Sequence, residues 1–373
     1  MSRFILIGAG IIGLSSALRL LREGFTVTIL DKGKIGQESS WAGGGILSPL
    51  APWDYSETVT QLAGYSTSIY SEWVNELSLS TEIDTEFNEC GMLVLPPYDS
   101  AKAHQWCFSH NIKGAINHKS FFNTIHQSIL EKAIFLPHVA QVRNPRLLTA
   151  LRREIIKRGG VIKEYCEVNR INLKNKTIAS ISTTDGNHSA DGYIITAGAW
   201  SRKILGKYAL NLNIIPIQGQ MLLYKFEIPP ISSILLQQEL YLIPRLDGHL
   251  IIGSAMEDVG FNKKITKAAY DSLYKKASQL LPAIKTRFLI KHWAGLRPAS
   301  PNNIPTIGRH PELDNLFINS GHFRYGVTTA PGSAEILLNE IMGKPQPFDI
   351  SPYQRGWHLP EKFNFSKNSS LMK

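Results

Sequence analysis

The feature that most constrains this chain is Gly8-Ala9-Gly10-Ile11-Ile12-Gly13, a G-x-G-x-x-G turn set between an apolar run and a helix-patterned run. Phe4 to Ile7 reads as a strand, Leu14 to Arg22 as a helix ended by Gly24, and Phe25 to Leu30 as a second strand. In such a βαβ unit Gly8 permits the tight turn, Gly10 lets a pyrophosphate approach the backbone, and Gly13 lets helix pack on strand. The helix N-terminus then presents free N–H groups and the positive end of its dipole to phosphate. Asp31 closes the second strand 18 residues after Gly13, where an acid can hydrogen-bond a ribose 2′-OH. The pattern points to a dinucleotide site. No second turn of this kind appears, which disfavours a reductase binding both a flavin and NADPH.

Size and composition bound the rest. At 373 residues, and about 150 residues per domain, two domains are expected. Apolar residues at 43% and charged residues at 19% exclude a disordered or fibrous chain. The uncharged run Phe4 to Leu18 is too short for the ~20 residues of a membrane span, and its glycine pattern would serve no purpose in a cleaved signal. Cys90, Cys107 and Cys166 are odd in number and form no C-x-x-C, so a disulfide framework and a zinc ribbon are disfavoured and a reducing cytoplasm is expected.

Net charge is +10, from 40 basic and 30 acidic residues. Residues 143–176 carry 10 basic against 3 acidic residues, and residues 263–291 carry 8 against 1. Aromatic residues do not interleave with these charges, so a solvated basic face is favoured over a nucleic-acid surface.

Alternating runs with Pro and Gly punctuation at Thr85 to Leu95 and Gln220 to Ser254 predict antiparallel sheet. Pro145 to Arg158 has helical spacing and stops at Gly159-Gly160; Val161 to Tyr165 and Gly192 to Thr196 read as strands. Helices are expected near Lys267 to Leu281 and from about Pro331 to Met342, and the polar tail after Lys362 is expected to fray. Parallel α/β signals thus alternate with antiparallel stretches, which predicts two domains, each assembled from separate chain segments.

Three further segments carry candidate chemistry. Ser39 to Ile46 (SSWAGGGI) is rich in small residues that let backbone lie against an extended ligand. Gly321-His322-Phe323-Arg324-Tyr325-Gly326 feeds the C-terminal helix, where a helix N-terminus can place positive potential beside a reduced, anionic ring. Arg297, stiffened by Pro298, Pro301 and Pro305, and Arg324 in the glycine-bracketed loop suit bidentate recognition of a carboxylate. Tyr241, on the strand Leu240 to Ile243, can donate to the same group. No G-x-S-x-G, P-loop, H-E-x-x-H or metal-like spacing is present, and no general acid or base is evident. His104, His110 and His118 read as surface residues, and Asp84 and Glu86 as solvated alternating positions of a strand.

The pieces GAGIIG, SSWAGGGILSP, ITAGAWS, YLIPR, WAGLRP, TIGRHP and GHFRYG, in this order from about Ser2 to Gly343, make the chain resemble the D-amino-acid oxidase superfamily, in particular its glycine oxidase branch of the thiamine-biosynthesis type. The resemblance implies the D-amino-acid oxidase fold: α/β and α+β, with a Rossmann-like FAD-binding domain interleaved with an antiparallel-sheet substrate domain. On this basis residues 1–84, 141–212 and 292–345 are assigned to the FAD-binding domain, 85–140 and 213–291 to the substrate domain, and 346–373 to a C-terminal tail.

Carried over by position, the resemblance implies FAD contacts along the glycine turn at Gly8, Gly10, Ile11, Ile12 and Gly13, and beyond it at Asp31 and Lys32. It implies further contacts at Ser39, Ser40, Gly44, Gly45 and Ile46, a backbone contact to adenine at Val168, and Gly198. A flavin-facing loop follows: His322, Phe323, Arg324, Tyr325, Gly326, Val327 and Thr328. The substrate carboxylate would meet Arg297 and Arg324 with Tyr241 beside them. No cysteine matches the one that carries covalent flavin in monomeric sarcosine oxidase, so FAD is expected to be non-covalent.

The family usually has asparagine after the loop arginine, where this chain has Tyr325, and Trp41 and Trp53 stand near the expected entrance. The implied reaction is FAD-dependent oxidation of glycine or a similarly small amino acid. A hydride leaves the α-carbon for the flavin, oxygen reoxidises the flavin to give hydrogen peroxide, and the imine hydrolyses or feeds thiazole synthesis. Two alternatives share the motifs: a D-amino-acid or sarcosine dehydrogenase with a non-oxygen acceptor, and an FAD enzyme acting on a glycine-like group of a modified tRNA uridine. The family also suggests a homotetramer.

Overall fold

A computed structural model describes residues 2–112 and 131–358. Strand β1 (Arg3–Ile7), helix α1 (Ile11–Arg22) and strand β2 (Thr26–Leu30) form the βαβ unit, with Phe4 opposite Val27 and Ile7 opposite Leu30 in parallel register. The helix begins at Ile11 rather than Leu14, because Leu14 N–H already donates to Gly10 O at 2.9 Å. Val161–Lys163 extends the sheet beyond β2, and Gly192–Ile195 and Leu316–Ser320 extend it beyond β1, all in parallel. Thr306–Arg309 closes that edge antiparallel. Gly192 admits its neighbour: a Cβ there would lie 2.2 Å from the Phe4 ring.

The apolar stripe of α1 (Leu14, Ala17, Leu18) is fully buried against the long C-terminal helix Gly326–Met342 and helix Asn144–Lys157. Leu147, Leu151 and Ile155 of the latter meet it at helical spacing, each large side chain contributing about 1.5–3 kcal/mol of burial.

The second sheet has seven strands in the order Leu289–Ala299, Ile215–Lys225, His249–Gly253, Leu240–Pro244, Ile234–Gln237, Met92–Leu95 and Ile134–Leu136. All neighbours are antiparallel except Ile234–Gln237 with Met92–Leu95, which enters from a distant segment of chain and runs parallel. Helix Lys267–Leu280 covers one face through Leu273, Ala277 and Leu280. A three-stranded meander, Val168–Lys174, Thr177–Thr183 and Gly186–His188, packs beside the first sheet.

Several local expectations change. The strand expected over Thr85 to Leu95 is confined to Met92–Leu95, and Glu86 lies in irregular backbone at φ 52°. Glu86 is not solvated, because Arg143 Nη1 at 2.9 Å and Arg146 Nε at 3.1 Å grip its carboxylate; Asp84 is exposed. Part of the basic 143–176 stretch is thereby neutralised, as Arg158 pairs with buried Glu154 and Lys163 with Asp185.

The C-terminal helix begins at Gly326, five residues before Pro331. Pro331 lacks the N–H that would reach Val327 O, and Tyr70 Oη–H donates to that carbonyl instead, at 3.1 Å. Within the segment taken as a tail, Tyr353 and Trp357 are fully buried against the first sheet's core. The polar tail after Lys362, and His118, lie outside the described residues.

Candidate active site

One cavity of about 440 Å³ runs from the glycine turn to the seven-stranded sheet. At its first end the turn is held by backbone. Gly8 adopts φ 112° and donates to Leu30 O at 2.8 Å, and a Cβ on Gly8 would lie 2.6 Å from Thr196 O. Gly13 stands behind the wall rather than in it: a Cβ there would lie 2.0 Å from Gly8 O, so the residue fixes how closely α1 approaches the turn. Asp31 Oδ2 accepts from Ala9 N–H at 2.7 Å and Oδ1 from Gly33 N–H at 2.9 Å, so the acid braces the loop from the end of β2. Burial raises its pKa, and the two N–H donors oppose that shift. Ile11 N–H, at the start of α1, donates to Ser40 Oγ at 2.9 Å.

The middle wall is the small-residue segment. Ser39–Ala42 forms a single helical turn, and Gly44 and Gly45 follow at close quarters. A Cβ on Gly44 would lie 2.4 Å from Ile243 Cδ1, and one on Gly45 2.1 Å from Val142 O. Two distant side chains pin this stretch. Asn144 Nδ2 donates to Ser40 O at 2.7 Å and Gly43 O at 3.0 Å. Arg245, fully buried, donates to Gly44 O at 2.8 Å, Val142 O at 2.9 Å and Gln141 Oε1 at 2.7 Å. Burial lowers the Arg245 pKa to about 10, which leaves it a cation at neutral pH.

At the far end Tyr241, Arg297 and Arg324 line the same cavity. Arg297 sits on the long strand Leu289–Ala299 opposite Ile217, and its guanidinium fills the space over Gly219, where a Cβ would come within 2.2 Å. It donates to Ser254 Oγ at 2.5 Å and Ala255 O at 3.2 Å. Burial lowers its pKa, while the adjacent Tyr241 hydroxyl supports the charge. Tyr241 Oη–H points to Met221 Sδ at 3.3 Å.

Arg324 Nη2 lies 2.7 Å from Met256 Sδ and 3.6 Å from Glu239 Oε1, and its Nε is buried without a partner. Burial opposes its charge, but Tyr55, Glu239 and the neighbouring phenols outweigh burial and hold its pKa above the ordinary value. Tyr325 is buried edge-on to Tyr55 with ring centroids 5.1 Å apart, and burial pushes its phenol well up.

The loop between these ends is set by His322. Its Nε2 meets Asn319 Oδ1 and its Nδ1 meets Thr329 Oγ1, both at 2.8 Å. Complete burial lowers its pKa to about 3, so it is neutral and acts as a strut. Phe323, at φ 47°, ties the loop to the WAGLRP strand through its N–H to Pro298 O at 2.9 Å. The early start of the C-terminal helix brings Gly326 and Val327, at its N-terminus, into the wall.

Of the residues singled out in the sequence, Gly8, Gly10, Ile11, Ile12, Asp31 and Lys32 line the cavity near the turn. Ser39, Ser40, Gly44, Gly45 and Ile46 line its middle, and Val168 and Gly198 also reach it. His322 to Val327 close the far side, whereas Thr328 is buried behind it with Oγ1 donating to Ile46 O at 3.1 Å. Trp41 and Trp53 do not line the cavity; Trp41 meets Trp293, and Trp53 packs with Tyr98 and Trp106.

Sequence reasoning missed Arg245, although it ends the YLIPR piece, and it missed Gly219, Met221, Ser254 and Glu239, which carry no local signal. Among the described residues Cys166, Asp185 and His188 bring potential ligand atoms within 4.8 Å, but Lys163 already holds Asp185 at 2.6 Å.

Gly8, Gly44 and Gly45, which leave no room for a Cβ, two helix starts and an acid at the end of β2 fit an extended dinucleotide, and two guanidinium groups stand at the opposite end. The family model described as FAD dependent oxidoreductase matches residues 3–339. A glycine oxidase of Pseudomonas putida is 36% identical over 94% of this chain and 97% of its own length. A bifunctional protein ThiO/ThiG of Synechocystis is 28% identical over 100% of this chain and 55% of its own length. The crystal structure of glycine oxidase from Geobacillus kaustophilus superposes with a TM-score of 0.90, covering 96% of this chain and 100% of that one at 24% identity.

Proposed function

The chain belongs to the FAD-dependent oxidoreductase family, and from that premise we propose that it is an FAD enzyme oxidising the C–N bond of glycine or a similarly small amino acid. The observation that carries this reading is the meeting of Tyr241, Arg297 and Arg324 with the glycine turn in one cavity. Bound FAD supplies the ring that accepts two electrons from the substrate's α-carbon. The glycine turn and Ser40 would hold its phosphates, and Asp31, with lone pairs left beside its two N–H bonds, its ribose.

The remaining work falls to positioning. Arg297 offers a planar guanidinium whose outward N–H groups can take a carboxylate, and Tyr241 adds a hydroxyl beside it. Fixing the carboxylate at one end fixes where the α-carbon lies, which is how binding energy lowers a barrier without a proton-transferring residue. The apolar wall of Met221 and Phe323 and the buried Tyr325 exclude water from that point. The N-terminus of helix Gly326–Met342 favours the charge that develops on the acceptor ring.

We take oxygen as the acceptor, with hydrogen peroxide as product, a reading supported by relatives named glycine oxidase rather than by any residue here. The likeness to a protein named ThiO/ThiG supports an imine product that feeds thiazole synthesis. FAD is taken as non-covalent, the assembly as a homo-oligomer, and the location as cytoplasmic; no helix among the described residues is long and apolar enough to cross a membrane. The test is purification in air followed by a peroxide assay across glycine, sarcosine, D-alanine and D-proline. A yellow protein producing peroxide from glycine is expected. Bleaching without peroxide would transfer the reading to a dehydrogenase, and a protein that cannot be loaded with FAD would end it.

A further inference from the structure

The carboxylate end of the cavity holds two guanidinium groups, Arg297 and Arg324, yet the proposed substrate brings one carboxylate. The second cation has its own partner. Glu239 Oε1 lies 3.6 Å from Arg324 Nη2, and its side chain retains 31% exposure against 10% for Arg324, so the pair sits at the rim. Glu239 occupies the tight turn between strands Ile234–Gln237 and Leu240–Pro244, two residues before Tyr241. Its carbonyl accepts Ser254 N–H at 3.3 Å, and Ser254 Oγ in turn accepts from Arg297. The carboxylate is thus anchored to the same frame as both arginines. Glu239 stands just outside the cavity lining, and the lining's charged groups other than the two arginines, Asp31, Lys32, Glu38, Glu167 and Lys203, lie toward the dinucleotide end. At the substrate end the ledger is two cations and one anion, and Tyr55, Tyr241 and Tyr325 add hydroxyls without formal charge.

We propose that Glu239 is a specificity-determining residue: by pairing with Arg324 it leaves the site one net positive charge, so that a monocarboxylic amine is admitted and an amine bearing a second carboxylate is rejected. The second carboxylate would find its natural guanidinium partner occupied and a like charge beside it, at a rim where water screens the charges only in part. The inference deepens the amino-acid oxidase reading and rests on it.

The test uses the FAD-loaded protein and two carboxylates that it cannot oxidise at a C–N bond: glycolate with one carboxylate, and diglycolate with two. Each is titrated while the visible flavin spectrum is followed. In the wild type glycolate should bind more tightly. In Glu239→Gln the ratio of the two dissociation constants should move at least about tenfold toward diglycolate, the order expected of one partly screened charge. Glycolate itself should move by less than about threefold on the same grounds, since its arginine is Arg297. Glu239→Ser, which removes the charge with a different side chain, should shift the ratio the same way. A wild type responding to glycolate, with the ratio unchanged in both variants, overturns this inference and leaves the oxidase reading standing. A wild type responding to neither ligand overturns both.

Discussion

The turn end of the cavity is built around one βαβ unit, extended by the small residues Ser39 to Ile46, while the opposite end gathers Tyr241, Arg297 and Arg324 from three separate segments. The first is made of backbone: N–H groups, close glycines, and an acid that braces its own loop through Ala9 and Gly33. The second is made of long side chains whose aim depends on neighbours such as Ser254, Met256 and Glu239. A site of the first kind fails when a backbone approach is blocked. A site of the second kind should lose one interaction at a time and leave the remainder standing.

Gly13→Ala strikes the backbone-built end and should have the largest effect. Its Cβ would lie 2.0 Å from Gly8 O, so the helix must retreat from the turn. A loss of about 3 kcal/mol or more in stability is expected, with little flavin retained per chain, measured by thermal unfolding and by absorbance. Arg297→Ala tests the other end. FAD should stay bound while KM for glycine rises about 30- to 100-fold, the weight of charge-assisted hydrogen bonds to one carboxylate. A parallel loss of flavin would show that the two ends are not separable.

Arg245→Met tests the link between them. Gly44 O, Val142 O and Gln141 Oε1 would each lose a buried donor, and stability should fall by about 2 kcal/mol with weaker FAD binding. His322 gives a pH-dependent signature. Its folded pKa of about 3 lies below the ordinary 6.5, so as pH falls from 6.5 toward 3 the unfolded chain binds a proton that the folded one refuses. Stability should therefore decline across that window by about 1.4 kcal/mol per pH unit from this group, a slope that His322→Gln removes. The smallest effect is Tyr70→Phe, which leaves Val327 O without the donor that replaces Pro331's missing N–H; about 1 kcal/mol of stability is expected to go, read from chemical denaturation.

The same contrast explains what the sequence made legible. The βαβ unit could be read because its turn, strand and helix are neighbours in the chain, and spacing alone places Asp31 beside Gly8. Arg297 and Arg324 were recognisable as restrained cations able to share a carboxylate with Tyr241, but neither spacing nor periodicity placed them in one cavity with the glycine turn. Where a distant partner decides, local reading erred. Glu86 looked solvated because Arg143 and Arg146 lie far along the chain. The C-terminal helix seemed to begin at Pro331 because proline favours a first turn, and only Tyr70, brought in from another helix, explains how the helix runs through it. Arg245 stands in the YLIPR piece and Glu239 in no motif, and the roles of both arise from packing between segments.

We propose that one cavity joins a flavin site to a carboxylate site. It is tested most directly by mixing FAD-loaded protein with glycine in the absence of oxygen and following the visible flavin absorbance. Glycine should bleach the wild type, and Arg297→Ala, still yellow, should need far more glycine for the same rate. A wild-type flavin that stays oxidised in saturating glycine, or an Arg297→Ala protein that bleaches with the wild-type concentration dependence, would contradict it.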